Sequence, residues 1–169
     1  MPGLHVNDLK ANTGAFARAY MFNIYFDTAP VGAIANRSTS YLVRSTSLPE
    51  GSITALEVPW QGQVYKFGST HEFAEWECTF NVDANADIRK NMIEWQRQIH
   101  DPATNIQGVP ADYFGEIRVE HLNTNGDPIM IYLLHQAWPS SVATLDLAHD
   151  SKEVAQFSVT FTYNWYTTE

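Results

Sequence analysis

Catalysis and metal binding need donors of the right type at the right spacing, and this chain offers only near misses. His71-Glu72 opens a zinc-protease pattern, but Phe73-Ala74-Glu75 follows, so the fifth position lacks its histidine. That pattern also needs a helix to bring both imidazoles to one face, whereas the residues here alternate with a period of two. Asp83, Asn85, Asp87 and Glu94 stand at positions one, three, five and twelve of a calcium loop. Position six, where glycine makes the sharp turn, is Ile88, which also begins a helical stripe. The six histidines show no metal-ligand spacing, and no G-x-S-x-G elbow, phosphate-cradling loop or dinucleotide fingerprint occurs. Cys78, between Trp76 and Phe80 on an apolar alternation, reads as a small buried hydrophobe. Asn36-Arg37-Ser38 is a glycosylation sequon in letters only. The residues predict no enzyme, no cofactor and no metal.

The elements that position these side chains are mostly strands. Phe22, Ile24 and Phe26 alternate with Met21, Asn23 and Tyr25 from Tyr20 onward, and a second extended segment is expected over Ser40 to Ser47. ITALEVPWQGQVYKF reads as two arms of a hairpin or long loop about Trp60-Gln61-Gly62; Pro59 cannot donate to a ladder, so its arm is an edge. From Glu72 to Val82, Ala74, Trp76, Cys78, Phe80 and Val82 share one strand face. The period then changes. Ile88, Met92, Trp95 and Ile99 form one helical stripe, predicting a helix over about residues 85–99, capped by Asp83 or Asn85 and stopped at His100-Asp101-Pro102. Residues 101–113 read as loop. Phe114–Leu122 and Ile129–Gln136 flank Asn125-Gly126, a strong hairpin signal. A break at Trp138-Pro139-Ser140-Ser141 precedes a short strand near Val142–Leu147. A long final strand follows, in which Ala155, Phe157, Val159, Phe161, Tyr163 and Trp165 point one way. Seven or eight strands and one amphipathic helix predict a mainly β fold, an antiparallel sandwich or barrel with a packed helix.

One domain suits 169 residues, with residues 1–19 forming either a docked or frayed arm or a short helix. The longest apolar run, Ile129 to Leu134, is far short of the roughly 18 residues of a membrane span. The start MPGLHVNDLK lacks the order of a signal peptide, and a lone cysteine makes no internal disulfide, so synthesis in a reducing cytoplasm is expected. Ten Lys and Arg against nineteen Asp and Glu give a net charge of −9, with Arg89-Lys90 the only adjacent basic pair. That argues against a nucleic-acid binder built on a basic face. Outward strand faces carry acids (Glu75, Glu77, Glu116, Glu120) or small neutral groups (Ser158, Thr160, Thr162). They read either as ordinary solvated surface or as a surface that must not hold a passing polyanion.

Four blocks in order, S-LPEG, EFAEWECTFNVD, DIRKNMIEWQ and AWPSSVATLDLAHDSKEVAQFSVTFTYNW, resemble the tail tube proteins of T-even-type contractile phages. More distantly they are similar to the inner-tube proteins of extracellular injection systems and type VI secretion. The most telling features are Leu48-Pro49-x-Gly51, the helix ending in Trp95-Gln96, and Trp138-Pro139 followed by Asp146. The resemblance implies hexameric rings whose sheets join into a continuous inner β-barrel. The rings stack into a tube inside a sheath, with baseplate and terminator proteins at its ends and DNA passing through the lumen without specific binding. Such closure would also satisfy the sticky edges of strands such as 154–166. It implies that residues 48–67, with Leu48, Pro49 and Gly51, reach the neighbouring ring. Trp60 is then either an interface anchor or a core residue. A lumen that lets DNA slide should be acidic or neutral, which nominates Ser158, Thr160, Thr162, Glu116 and Glu120. The residues before 20 are expected to order on stacking, and the protein to reside in the virion. The other expectations open at this point are an injection-system tube carrying protein cargo and a small ligand-binding β-barrel.

Overall fold

The computed structural model describes residues 16–32, 34, 37–150 and 152–169. The expectations for the arm up to residue 15, and Asn36 of the sequon, lie outside them. In chain order the elements are β1 (Phe22–Thr28), α1 (Arg37–Leu42), β2 (Val43–Thr46), β3 (Gly51–Trp60), β4 (Gln63–Phe73) and β5 (Trp76–Asn81). The chain continues through α2 (Asp87–Ile99), β6 (His100–Asp101), β7 (Ile106–Gln107), α3 (Pro110–Tyr113), β8 (Gly115–Leu122), β9 (Pro128–Val142), β10 (Gln156–Thr162) and β11 (Trp165–Thr168). The mainly β, antiparallel architecture with a packed helix is therefore what the chain adopts.

Seven strands make one sheet in the order β1-β8-β9-β10-β5-β2, with β11 also paired to β9. The 15-residue β9 is its spine: β8 and β11 flank the first part, and β10 pairs with the last. Between β10 and β11 the ribbon breaks at Tyr163-Asn164. Opposite lies Gln136, whose φ is +55° and whose side-chain oxygen accepts from Asn164 Nδ2. That kink lets the sheet fold over on itself. Phe26 on β1 consequently lies 6.4 Å from Phe80 on β5 and 5.9 Å from Phe161 on β10 (ring centroids), although three strands separate β1 from β5 in the strand order. Two layers thus enclose one core of Ile24, Phe26, Ile117, Val119, Leu134, Trp76, Phe80, Phe157, Val159 and Phe161. Helix α2 closes its open side with Ile88, Met92 and Trp95, as the four-three-four spacing predicts, and Trp95 Nε1 donates to the Tyr113 carbonyl at 2.7 Å.

Several local expectations are corrected. Residues up to Leu42 in the expected second strand are helical, and the strand begins at Val43. Short polar side chains make this possible by bonding the backbone: Thr39 Oγ1 donates to the Ile34 carbonyl, and Ser40 Oγ accepts from the Ile24 N–H. Glu72 and Phe73 end β4 instead of opening β5. The predicted break at Trp138-Pro139 is continuous strand. Pro139 is buried opposite Phe161 at a register shift, a position where a missing N–H is tolerated, and no strand follows Val142 up to residue 147. Neither Asp83 nor Asn85 caps α2; Ala86 holds the N-cap with φ +54° and no side-chain bond, so the helix starts at Asp87. Because the final strand breaks at Asn164, Trp165 leaves the core face and stacks on His135 at 5.2 Å.

Candidate functional site

Two of the residues singled out for assembly, Gly51 and Trp60, fall on a hairpin that stands clear of the folded body. Among the described residues β3 and β4 pair only with each other, and every residue from Gly51 to Glu72 is exposed. Its turn is Gln61-Gly62, both with positive φ (+46° and +82°), the backbone of a two-residue hairpin turn matched to strand twist. Pro59 lies within it, opposite Val64, consistent with an arm whose outer edge is unpaired. Cross-strand register sorts the side chains. Val58 faces Tyr65 and Leu56 faces Phe67, with Trp60 at the tip on the same side, so this face is apolar. The other face carries Glu57 and Lys66, 2.7 Å apart. At the β4 irregularity Thr54 Oγ1 accepts from the Thr70 N–H and donates to the Thr70 carbonyl, both at 3.2 Å, filling the gap in the ladder.

The four residues expected to contact a neighbouring ring are not equivalent. Trp60, 62% exposed, is a tip residue and not a core one. Gly51 is the root of β3. Leu48 and Pro49 belong to the body: Pro49 is buried, and Leu48 lines an apolar cleft of about 230 Å³ with Phe22 and Val119. Trp76 Nε1 donates to the Ser47 carbonyl at 2.7 Å and pins this turn. Leu56, Val58, Tyr65 and Phe67 were not singled out by sequence. Their alternation within ALEVPW and QVYKF carries the signal, once the register is known.

The five residues nominated for a lumen separate onto two faces. Ser158, Thr160 and Thr162 point outward from β10, beside Thr79 (3.1 Å from Ser158 Oγ) and Glu75 (3.3 Å from Thr162 Oγ1). Glu77 sits opposite Thr160. No residue of β5 or β10 is Lys or Arg; Arg44 lies in the register shift of the adjoining strand β2. Glu116 and Glu120 are directed away from the core on the other layer, and both are paired, but Glu120 is buried and only Glu116 is open to solvent. His135 Nδ1 is 3.4 Å from Glu116, while Arg118 bridges Glu120 (3.2 Å) and Asp27 (2.9 Å) beneath the Tyr25 ring. One outer face is thus small, hydroxylated and acidic; the other is aromatic and holds Arg118 among the carboxylates of Asp27, Glu116 and Glu120.

Other reactive groups are structural. Burial pushes the Cys78 thiol up, away from the reactive thiolate. The Thr104 hydroxyl and the Ala103 amide hold Asp101 below the usual carboxylate range, which tightens the β6–β7 turn. Burial also raises the Tyr163 hydroxyl to about 12, keeping it a donor to the Glu50 carbonyl at 3.2 Å.

These features have relatives. The sequence profile described as phage tail tube protein matches residues 9–169. A tail tube protein of Serratia phage KSP90 is 27% identical over 125 residues, covering 73% of this chain and 71% of that one. The sheath/tube terminator of the extracellular contractile injection system PVC, in its extended state, has a similar fold: TM-score 0.70 at 14% identity, over 93% of this chain and 99% of that one. The sheath–tube complex of the same system gives 0.67 at 14% identity, over 95% of both chains. At such identities the likeness speaks for the fold.

Proposed function

The chain belongs to the phage tail tube protein family, a structural and not a catalytic one, and from that premise we propose that its copies close into hexameric rings that stack as the inner tube of a contractile tail. The observation that carries this is the apolar face of the β3–β4 hairpin, which none of the described residues covers. Trp60, Val58, Leu56, Phe67 and Tyr65 are held in water by a two-stranded ribbon that is marginal on its own. Burial against another copy removes that cost, and a contact between different patches on successive copies propagates into rings and tubes. Leu48, Pro49, Gly51 and Trp60 act in this reading as the turn, root and tip of the arm that reaches the next ring.

The lumen, on this reading, is lined by the outer face of β10 and β5, with Ser158, Thr160 and Thr162. Each lumen cation would hold a DNA phosphate with a salt-dependent cost of release. The hydroxylated face avoids that drag; the face of Glu116 and Glu120 carries Arg118 and is assigned to the outside. The tube is then a conduit for DNA in the virion, with sheath, baseplate and terminator proteins as partners. Electron microscopy of the purified protein tests this: rings of six copies or tubes are expected. A strictly monomeric species at high concentration in light scattering refutes it.

A further inference from the structure

We propose that the aromatic collar at the root of the β3–β4 hairpin is a positioning device that aims the hairpin at the neighbouring copy. The role rests on the reading of the hairpin as a contact between copies. The collar residues sit at the root, away from the tip and the apolar stripe. Phe73, the last residue of β4, lies 4.3 Å from the His71 ring, 5.9 Å from Tyr163 and 5.4 Å, edge-on, from Tyr166. Tyr166 in turn meets Tyr132 of β9 at 5.5 Å, which ties the root to the spine of the sheet. Where the two arms leave the body, the Glu50 carbonyl accepts two bonds, from Tyr163 Oη at 3.2 Å and from the Ala74 N–H at 3.1 Å. Gly51 completes the fit: a Cβ there would lie 2.6 Å from His71 Nε2 and 3.1 Å from Tyr166 Oη.

Leverage makes the root matter. Ten residues of extended strand reach about 33 Å, so a tilt of about 5–10° at the root carries Trp60 sideways by roughly 3–6 Å. Close-packed interfaces do not absorb such a shift. With all of β3 and nearly all of β4 exposed, rings at the root are what can resist that tilt.

Tyr166→Ala removes three ring contacts of the collar, to Phe73, Tyr132 and Tyr163, and Tyr166→Phe keeps them. Gly51→Val displaces the His71 and Tyr166 side-chain ends from the collar without touching the core, and serves if Tyr166→Ala does not fold. Expected for Tyr166→Ala and Gly51→Val are a cooperative melt, faster hydrogen exchange confined to β3 and β4, and association weakened at least tenfold in sedimentation velocity. Tyr166→Phe restores wild-type assembly. The control is Leu56→Ser/Phe67→Ser on the apolar face. If the control abolishes assembly while Tyr166→Ala and Gly51→Val assemble as wild type, the collar proposal is overturned and the contact reading stands. Exchange accelerated equally in β8 and β9 overturns it too, because the residues would then be general core. If the control itself assembles normally, the contact reading falls.

Discussion

Replacing Leu56 and Phe67 together by serine tests the apolar hairpin face most directly. The two side chains stand opposite each other across the ribbon, and each is 56% exposed in the isolated chain. Full burial of such a side chain is worth about 1.5–3 kcal/mol, so covering the exposed 56% should yield roughly 0.8–1.7 kcal/mol apiece. The pair then contributes about 1.7–3.4 kcal/mol per contact, which at 1.4 kcal/mol per tenfold predicts association weakened about 15- to 250-fold. The folded monomer should hardly notice. Exposed substitutions usually cost within about 0.5 kcal/mol, and the lost cross-strand pair adds about 0.2–1. Sedimentation velocity across a concentration series reads the first effect and thermal melting the second. The control lies on the opposite face: Glu57→Gln/Lys66→Gln removes an ion pair whose side chains are 55% and 65% exposed and should leave assembly within about threefold. A double serine variant whose association curve overlays the wild type would refute the reasoning.

Further outcomes follow from the same geometry. Phe161→Asp should give no soluble folded protein, since a charge would replace a fully buried ring between Trp76, Trp95 and Phe26; a cooperative melt by circular dichroism contradicts the core assignment. Ser158→Lys/Thr160→Lys should make assembled tubes retain DNA at low salt and release it at high salt, and unchanged retention at low salt means that β10 does not line the channel. For Tyr163, the fold holds the proton more tightly than the ordinary value of 10.0, so the associated stability is full below about pH 10 and is lost as pH rises toward about 12. Alkaline melts should show that loss, and Tyr163→Phe should flatten it. Cys78, fully buried with its thiol pushed up, should react with a thiol reagent only at the rate of unfolding; rapid labelling of native protein would place it elsewhere.

Much of the fold was legible because a half-buried strand and an amphipathic helix write their periods into the chain. Trp76, Cys78 and Phe80 at period two, Phe157, Val159 and Phe161 likewise, and Ile88, Met92 and Trp95 at helical spacing all reach the core as expected. The errors lie where a local signal met a tertiary constraint. Pro139 reads as a breaker, yet the register shift opposite Phe161 removes the need for its N–H. Asp83 and Asn85 read as caps, yet the chain enters α2 through a left-handed Ala86. Ser40 reads as strand, yet its hydroxyl serves the β1 edge from a helix.

By itself, then, the sequence determined the principal strands, helix α2, most of the buried set and the acidic balance, because these depend on residue type and near-neighbour spacing. Only the tertiary structure decided that Glu116 and Glu120 face away from Ser158, Thr160 and Thr162. It also decided that Leu48 and Pro49 stay in the body while Trp60 projects, and that Leu56, Val58, Tyr65 and Phe67 share one exposed stripe. The physical reason is that a period of two assigns side chains to alternate faces without naming either face. Which face meets core, solvent or another copy is fixed by strand register and by the fold of the sheet at Gln136, and those rest on contacts between residues far apart in the chain.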